Sequence, residues 1–438
     1  MKSKLEYQIL EYLGFQASTG ATALWRLPEG VLARGLAFTD TAGLTLHLLA
    51  KLKKQADFTK LPASIQERLE RNFRDNSART NAAVQEFIQF NRLLQAQGIR
   101  YLNLKGLVLY PDFVDFPENR FQYDHDFLIG QEDLPRAYDL FLGLGYSPLS
   151  SSGKLAVGHL PTLIKRTGWI WKGDIYDPAI PRAIELHFQL WEPDFDLIPI
   201  RSLDKVWQDA SLASFQSLSV PVLSREHTLL YCALHCFRHL LRNDLRLSHL
   251  YELAFFLEHH PSDEDFWKQF LASIAHCRWS LRGMATMFEL ACQVFTVSPA
   301  QRIQQFIDDH LSPAGDLWIR QYGKRESIHC YRRSKLTIFL HLDFVPDPSL
   351  RWAVIRQKII PTHFPWPSFG VQVSPEEQGL RFRMLKGLHY GRQLLQRFCF
   401  HFTSLIKLLV QLPEWYFRLQ RHMKETRVKI PSREGQKA

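Results

Sequence analysis

The sequence predicts an α+β fold, in which a small mixed β-sheet is flanked by N-terminal and C-terminal helical regions. The chain has 438 residues, of which 46% are hydrophobic and 22% charged. This length suits about two to three domains, and the composition is that of a folded protein. Apolar residues at helical spacing dominate the two ends of the chain, whereas short apolar runs between them suit strands. These patterns divide the chain into four predicted regions, residues 1–97, 98–200, 201–345 and 346–438.

The first region is predicted to be helical. Leucines at helical spacing form one apolar stripe from Leu44 to Leu52, and a second stripe runs from Ala83 to Leu94 and ends before Gly98. We therefore expect a small helical region that leads into the sheet.

The second region is predicted to be the sheet core. Residues 99–104 are apolar and bounded by glycines, which suits a buried strand. Residues 124–129 form a second strand candidate, and residues 134–142 have helical spacing and stop at glycines. In residues 182–191 apolar and polar side chains alternate, as they do in a half-buried strand.

The third region is predicted to be a helical domain, and the fourth is basic. Helical spacing is strong from residue 225 to 260. The stretch from Pro346 to Pro375 is rich in proline, so we expect it to be irregular. From residue 351 onward the chain has 16 Lys and Arg against 5 Asp and Glu, although the whole chain has a formal charge of +10.

This basic region could bind RNA, an acidic partner or an anionic membrane surface, or could simply aid solubility. Aromatic and basic residues interleave between Phe400 and Arg421, as in an interfacial helix, but Pro413 is expected to break or kink any helix there. No apolar run approaches the roughly 18 to 20 residues that span a bilayer, and the amino terminus lacks the apolar core of a signal peptide. We therefore expect a cytoplasmic protein without a transmembrane segment.

An Asp-x-Asp pair within the second strand candidate is the main functional signal. Side chains alternate along a strand, so Asp124 and Asp126 point to the same face. Two carboxylates held so close repel each other unless a cation neutralises them, and a divalent metal ion suits this role. By the same alternation Glu185 and His187 share one face of the third strand candidate, so a third carboxylate can join the pair. The alternative is a strand end with two solvated aspartates.

Nucleotidyl transfer needs a triphosphate held in line, a metal ion to neutralise developing charge, and an activated acceptor hydroxyl. Carboxylates on neighbouring strands can supply the metal ligands and a general base. Gly106, at a turn from strand to helix, would let backbone N–H groups approach phosphates. Lys105 and Arg120 would add positive charge beside the β- and γ-phosphates.

The order of these parts resembles the uncharacterised bacterial nucleotidyltransferase family of the DNA polymerase β-like superfamily. The motifs are Leu-Lys-Gly106, an arginine shortly before Asp-x-Asp, Leu-Gly-Tyr146 and Ile-Glu-Leu-His187, and the resemblance covers about residues 30–360. The resemblance implies a polymerase β-like sheet core. It also implies Mg²⁺ as cofactor, with Mn²⁺ as an alternative, and a nucleoside triphosphate as substrate, most often ATP.

The resemblance also implies roles for individual residues. Asp124, Asp126 and Glu185 would be the metal ligands and catalytic carboxylates. The remaining positions would bind nucleotide or phosphate, and they are Lys105, Gly106, Arg120 and His187. His187 could contact a phosphate or the acceptor, or could be satisfied by a local hydrogen bond. His125 stands where the family usually has an aliphatic residue, and we expect it to face the sheet interior.

A competing metal site lies in the third region, where Cys232, His235, Cys236 and His239 share one face of a predicted helix. A helix rises about 1.5 Å per residue, so the first and last of these are roughly 10 Å apart, too far for one tetrahedral zinc ion. We expect buried cysteines and packing histidines instead. Two arginines of the same region could lie over the nucleotide or be solvated, namely Arg242 and Arg246.

These inferences favour an enzyme that transfers a nucleoside monophosphate from a triphosphate to a hydroxyl. The acceptor could be a protein side chain, a metabolite or an RNA end. The alternative is a non-catalytic regulatory or binding module of the same fold, whose basic C-terminal region binds RNA or an acidic partner.

Overall fold

The computed structural model describes most of the chain, namely residues 2–16, 23–149, 158–216, 218–260, 263–328, 335–360 and 380–429. The run Ser150-Ser-Ser-Gly153, whose composition predicts a loop, lies outside these residues. No helix within the described ranges is long and apolar enough to cross a membrane.

Four α-helices precede the sheet within the described ranges. They are α1 (Lys2–Leu13), α2 (Glu29–Ala42), α3 (Thr45–Lys54) and α4 (Ala63–Ala96). The leucine stripe of α3 is buried, and the end of α4 packs on the sheet through Phe90 and Leu94. The helical stripes of the sequence therefore mark real helices, and the end of α4 covers one face of the sheet.

The sheet has seven strands among the described residues. They are β1 (Tyr101–Asn103), β2 (Asp124–Ile129), β3 (Tyr146–Pro148), β4 (Leu163–Lys165), β5 (Ala183–His187), β6 (Ser211–Phe215) and β7 (Leu218–Val222). Their order is β3-β4-β5-β2-β1-β7-β6, and the pairs β2/β5 and β1/β7 are parallel while the others are antiparallel.

The predicted mixed α+β class is confirmed, but the sheet is larger than the small sheet we expected. Strands β3, β4, β6 and β7 have only three to five residues each. Such short segments carry too few side chains for a clear alternation of apolar and polar residues. Strands β6 and β7 also follow residue 200, so the sheet extends beyond the predicted core region.

The register between strands β2 and β5 determines which polar residues lie side by side. Asp126 on β2 lies directly opposite Glu185 on the parallel strand β5. Side chains of directly paired residues project from the same face, so these carboxylates are neighbours. The residues that follow β1 run beside these carboxylates, because the Leu104 amide donates a hydrogen bond to the Asp126 carbonyl at 3.2 Å. This geometry brings Lys105 to the same edge.

Two helices connect strands, α5 (Leu134–Gly143) and α6 (Pro193–Asp196), and ten follow the sheet within the described ranges. These ten are α7 (Arg225–Arg242), α8 (Leu247–His259), α9 (Glu264–Ile274), α10 (Arg278–Phe295), α11 (Gln301–His310), α12 (Pro313–Trp318), α13 (Lys324–Ile328), α14 (Thr337–Asp343), α15 (Pro348–Ile359) and α16 (Leu380–Lys429). The largest apolar core runs through α7, α8 and α10.

Two expectations about the C-terminal region were wrong in part. The stretch from Pro346 to Pro375 was expected to be irregular, but it contains α15, in which Pro348 occupies the first turn where proline is tolerated; residues 361–375 lie outside the described ranges. Pro413 was expected to break or kink any helix there, but it does not break α16, which continues through it. Contacts on both sides hold it, since Gln411 accepts a hydrogen bond from a tyrosine of the body and Trp415 is buried.

A buried ionic cluster explains the histidine in the Asp-x-Asp motif. His125 is 2% exposed and faces the sheet interior, as predicted. Its Nε2 lies 3.1 Å from Glu86 on α4, and Glu86 also accepts two hydrogen bonds from Arg182, at 2.6 and 2.8 Å. Burial would raise the pKa of Glu86, but the bonds from His125 and Arg182 outweigh it and lower that pKa to about 2.

Replacing Glu86 with Gln is expected to lower the free energy of unfolding by about 2–3 kcal/mol, because the buried Arg182 loses its counter-charge. Urea unfolding measures the change. The control is Glu132→Gln, because Glu132 is exposed and its ion pair with Arg100 is long, at 4.0 Å. This change should lower the free energy of unfolding by less than about 0.5 kcal/mol. An equal loss in both variants would contradict a structural role for this cluster.

Candidate functional site

A polar cleft of about 440 Å³ lies at the sheet edge where β1 ends and β2 begins, and α7 and α8 form its opposite wall. Six of the seven predicted site residues line it: Lys105, Arg120, Asp124, Asp126, Glu185 and His187. Gly106 does not line it. The cleft is within the size range of small-molecule sites, which is about 300–1,000 Å³.

Two carboxylates and a histidine converge at the centre of the cleft. The Oδ1 atom of Asp126 lies 3.0 Å from His187 Nε2, and Glu185 Oε2 lies 3.5 Å from the same nitrogen. Thr162 donates to the other Glu185 oxygen at 3.2 Å, which fixes the carboxylate. Ligand atoms of Asp126, Glu185 and His187 all lie within 4.8 Å of one another.

This spacing suits one divalent ion. Two ligands at about 2.1 Å from an ion and at right angles to each other are about 3.0 Å apart, which is the separation of Asp126 Oδ1 and His187 Nε2. Burial would lower the pKa of His187, but its hydrogen bonds to Asp126 and Glu185 outweigh burial and raise it. The carboxylates therefore attract positive charge at this point.

Asp124 lies in the same cleft but does not belong to that group of ligand atoms among the described residues. Burial and the neighbouring charge of Asp126 raise the pKa of Asp124 to about 7, against the opposing effect of Lys105. The geometry thus brings together two carboxylates and His187, with Asp124 beside them, where the sequence predicted three carboxylates.

Lys105 is held against the carboxylates. Its Nζ lies 3.3 Å from Asp126 Oδ2 and 3.3 Å from His235 Nε2, and the side chain is 13% exposed. Burial would lower the pKa of Lys105, but the charge of Asp126 together with those of Tyr231, Asp124 and Glu185 outweighs burial and raises the pKa. The same cation, acting with the His187 hydrogen bond, overcomes burial and holds the pKa of Asp126 below its usual range. Asp126 is therefore a carboxylate with a different partner on each oxygen.

Gly106 serves the local backbone. Its φ of +75° is in the left-handed region, and an added Cβ would lie 2.6 Å from Gln122 Nε2. That amide donates to the Asp124 carbonyl at 2.8 Å. Gly106 therefore makes room for the side chain that holds the start of β2, and its predicted contact with phosphate remains a prediction.

Arg120 is paired with a residue that the sequence patterns did not single out. Its Nε donates to Glu252 on α8 at 2.8 Å, and both side chains are largely buried. Arg246 lies over the Tyr123 ring, 4.4 Å from its centre, and lines the cleft with His249. Residues 246, 249 and 252 recur every three positions, with residue 246 immediately before α8 and the other two on it, and this periodicity is the signal that could have identified the wall.

The competing zinc site does not form. Cys232 and Cys236 are buried in the apolar core and belong to no group of metal ligands among the described residues. His235 and His239 instead face the cleft, with their Nε2 atoms 3.0 Å apart. Burial lowers the pKa of both histidines. Arg242, from the same helix, lines the cleft and pairs with carboxylates of the α6 segment, so it is not simply solvated. Its place over the nucleotide remains a prediction.

Residues 33–295 match the family model described as uncharacterised nucleotidyltransferase. This match spans well over half of the chain. The chain belongs to this nucleotidyltransferase family. The matched segment of the nucleotidyltransferase contains the whole sheet together with α7 and α8, and so every residue that lines the cleft. No curated protein and no solved structure matches the chain.

Proposed function

We propose that this family member transfers a nucleoside monophosphate from a nucleoside triphosphate to a hydroxyl acceptor with the help of a divalent metal ion. The observation that carries the proposal is the convergence of Asp126, Glu185 and His187 in the cleft of a nucleotidyltransferase. Buried acidic groups that are oriented by neighbouring hydrogen bonds, as Glu185 is by Thr162, suit a site built to hold a cation.

In this proposal Asp126, Glu185 and His187 hold the metal ion, and Asp124 is the further carboxylate that the sequence predicts. When bound, a divalent ion neutralises charge that develops on the phosphates. Lys105 places a positive charge beside Asp126, and a triphosphate bound to the metal ion would contact this charge. Arg120 gives a second cation. Its hydrogen bond to Glu252 orients the guanidinium group before substrate enters.

The donor set favours Mn²⁺ over Mg²⁺, although the family resemblance suggests Mg²⁺ first. Magnesium prefers oxygen ligands in an octahedron, whereas an imidazole nitrogen suits transition metals better. His187 supplies such a nitrogen beside Asp126. ATP is the donor that we propose, as the family resemblance implies, and the acceptor is any hydroxyl group that can reach the cleft.

Replacing His187 with Asn is expected to weaken Mn²⁺ binding by about tenfold and Mg²⁺ binding less, because only the softer ion gains much from the nitrogen ligand. Electron paramagnetic resonance of free Mn²⁺, with Mg²⁺ as competitor, measures both affinities. His239→Asn is the matched control, since His239 lines the cleft but is paired with Asp244. Equal Mn²⁺ affinity in the wild type and His187→Asn would remove His187 from the ligand set.

The activity itself is tested by incubating the protein with each of the four ribonucleoside triphosphates labelled at the α-phosphate. Mn²⁺ or Mg²⁺ is added, with cell extract as the source of acceptor. Metal-dependent transfer of label supports the enzyme. Metal-dependent nucleotide binding without transfer favours the alternative, a binding module of the same fold. Absence of both nucleotide binding and transfer would reject the proposal.

A further inference from the structure

Helix α16 contacts the described part of the body along one face. Leu408 and Trp415 are buried, and the Trp415 ring stacks on Phe339 with 4.8 Å between ring centres. Tyr322 donates a hydrogen bond to Gln411 at 3.0 Å. These contacts fix which side of the helix faces the body, and hence which side faces away.

The side that faces away is apolar. Successive residues of a helix are separated by about 100°, and six large apolar residues fall within an arc of about 100° on the face opposite Trp415. Each of the six is between 57% and 72% exposed, and they are Leu388, Leu395, Phe398, Phe402, Leu409 and Phe417. From Leu388 to Phe417 this apolar stripe is about 45 Å long. Exposed apolar surfaces of this extent mark interaction sites.

The same helix is strongly basic. Between Leu380 and Lys429 it has eleven Lys and Arg but only two acidic residues. Both acidic residues are already paired within the helix, Glu414 with Arg418 and Glu425 with Arg421. The first half, residues 380–406, has five basic residues and no acidic residue. A partner for this helix must therefore accept apolar side chains and also carry negative charge.

We propose that the apolar stripe of α16 docks onto an anionic lipid surface, with the helix lying in the plane of the membrane interface. Burial of apolar side chains at the acyl boundary and attraction of Lys and Arg to anionic headgroups together give such helices their affinity. Helix α16 combines an apolar stripe with a high density of basic residues, and an anionic lipid surface binds both. The proposal is independent of the proposed activity.

A second copy of the helix fits these observations less well. Helix pairing would bring two strongly basic helices side by side, which costs electrostatic energy. Leu405 and Leu419, which fall on the heptad positions needed to complete a seam, already pack against the core of the body. The phosphates of a nucleic acid would neutralise the basic residues of α16, but a nucleic acid would not bury the leucines of the stripe.

The test is vesicle flotation with the full chain, using phosphatidylcholine vesicles with and without about 30% phosphatidylglycerol. We expect binding to the anionic vesicles and little to the neutral ones. Phe398→Ser combined with Phe402→Ser should weaken binding by about tenfold or more. Arg392→Gln should weaken it by about fivefold. Trp352→Ser is the matched control, because Trp352 is 72% exposed on α15, outside the stripe.

Three results would overturn the proposal. They are no binding to anionic vesicles, equal vesicle binding by the phenylalanine double variant, and self-association without lipid that this double variant abolishes. RNA binding that is lost at high salt but unaffected by the phenylalanine changes would assign the helix to nucleic acid instead. Circular dichroism shows whether the variants keep the fold, as expected for exposed positions.

Discussion

Asp126→Asn is expected to reduce nucleotidyl transfer by about 10³-fold or more, the scale of losing a central charge in a buried electrostatic site. Each oxygen of Asp126 has a separate partner, His187 on one side and Lys105 on the other. An amide cannot carry the negative charge, and it presents a donor to one of these partners. The cleft would lose both a metal ligand and the counter-charge of Lys105.

The measurement is the rate of label transfer from α-labelled triphosphate at saturating metal. Because Asp126→Asn also leaves a buried lysine unpaired, thermal unfolding is recorded alongside, and Glu185→Gln serves as a second variant in a more exposed position. Asp139→Asn, on the exposed side of α5, is the matched control. Wild-type rates in folded Asp126→Asn and Glu185→Gln would mean that the acidic centre is not catalytic.

Strand alternation predicts which face of its strand each carboxylate occupies. It places Asp126 on the polar face of β2 and Glu185 on the polar face of β5, and the observed register then sets the two side by side. His187 follows by the same rule, two residues after Glu185. The structure places its Nε2 against Asp126, which is the local hydrogen bond that the sequence allowed, and the predicted phosphate contact remains a prediction.

The partners that tune the site could not be predicted in this way. Glu252 reaches Arg120 across 132 residues, and Glu86 reaches His125 from α4. Such pairs depend on how helices pack on the sheet, and no local period of the sequence encodes that packing. The spacing of cysteines and histidines around His235 shows that a strong local pattern can also mislead. It resembles a zinc site, but Cys232 and Cys236 are buried in the apolar core.

The buried lysine gives the second prediction, which separates binding of the nucleotide from binding of the metal. Lys105→Met is expected to lower transfer by about 10²–10³-fold, because a cation beside the phosphates is lost from a desolvated site. The same change should leave Mn²⁺ affinity equal or higher, since the ammonium 3.3 Å from Asp126 repels any ion bound there. The KM for the triphosphate should rise while the metal affinity does not fall.

Two measurements decide this, steady-state kinetics with varied triphosphate and electron paramagnetic resonance of Mn²⁺. Lys105→Arg is the matched variant that keeps the charge, and it should recover part of the lost rate if charge is what matters. A loss of metal affinity in Lys105→Met that parallels the loss of rate would show that Lys105 only supports the carboxylate geometry. Lost rate with intact metal binding would instead show that the charge of Lys105, which lies 3.3 Å from Asp126, acts on the triphosphate itself and not only on the geometry of the carboxylate.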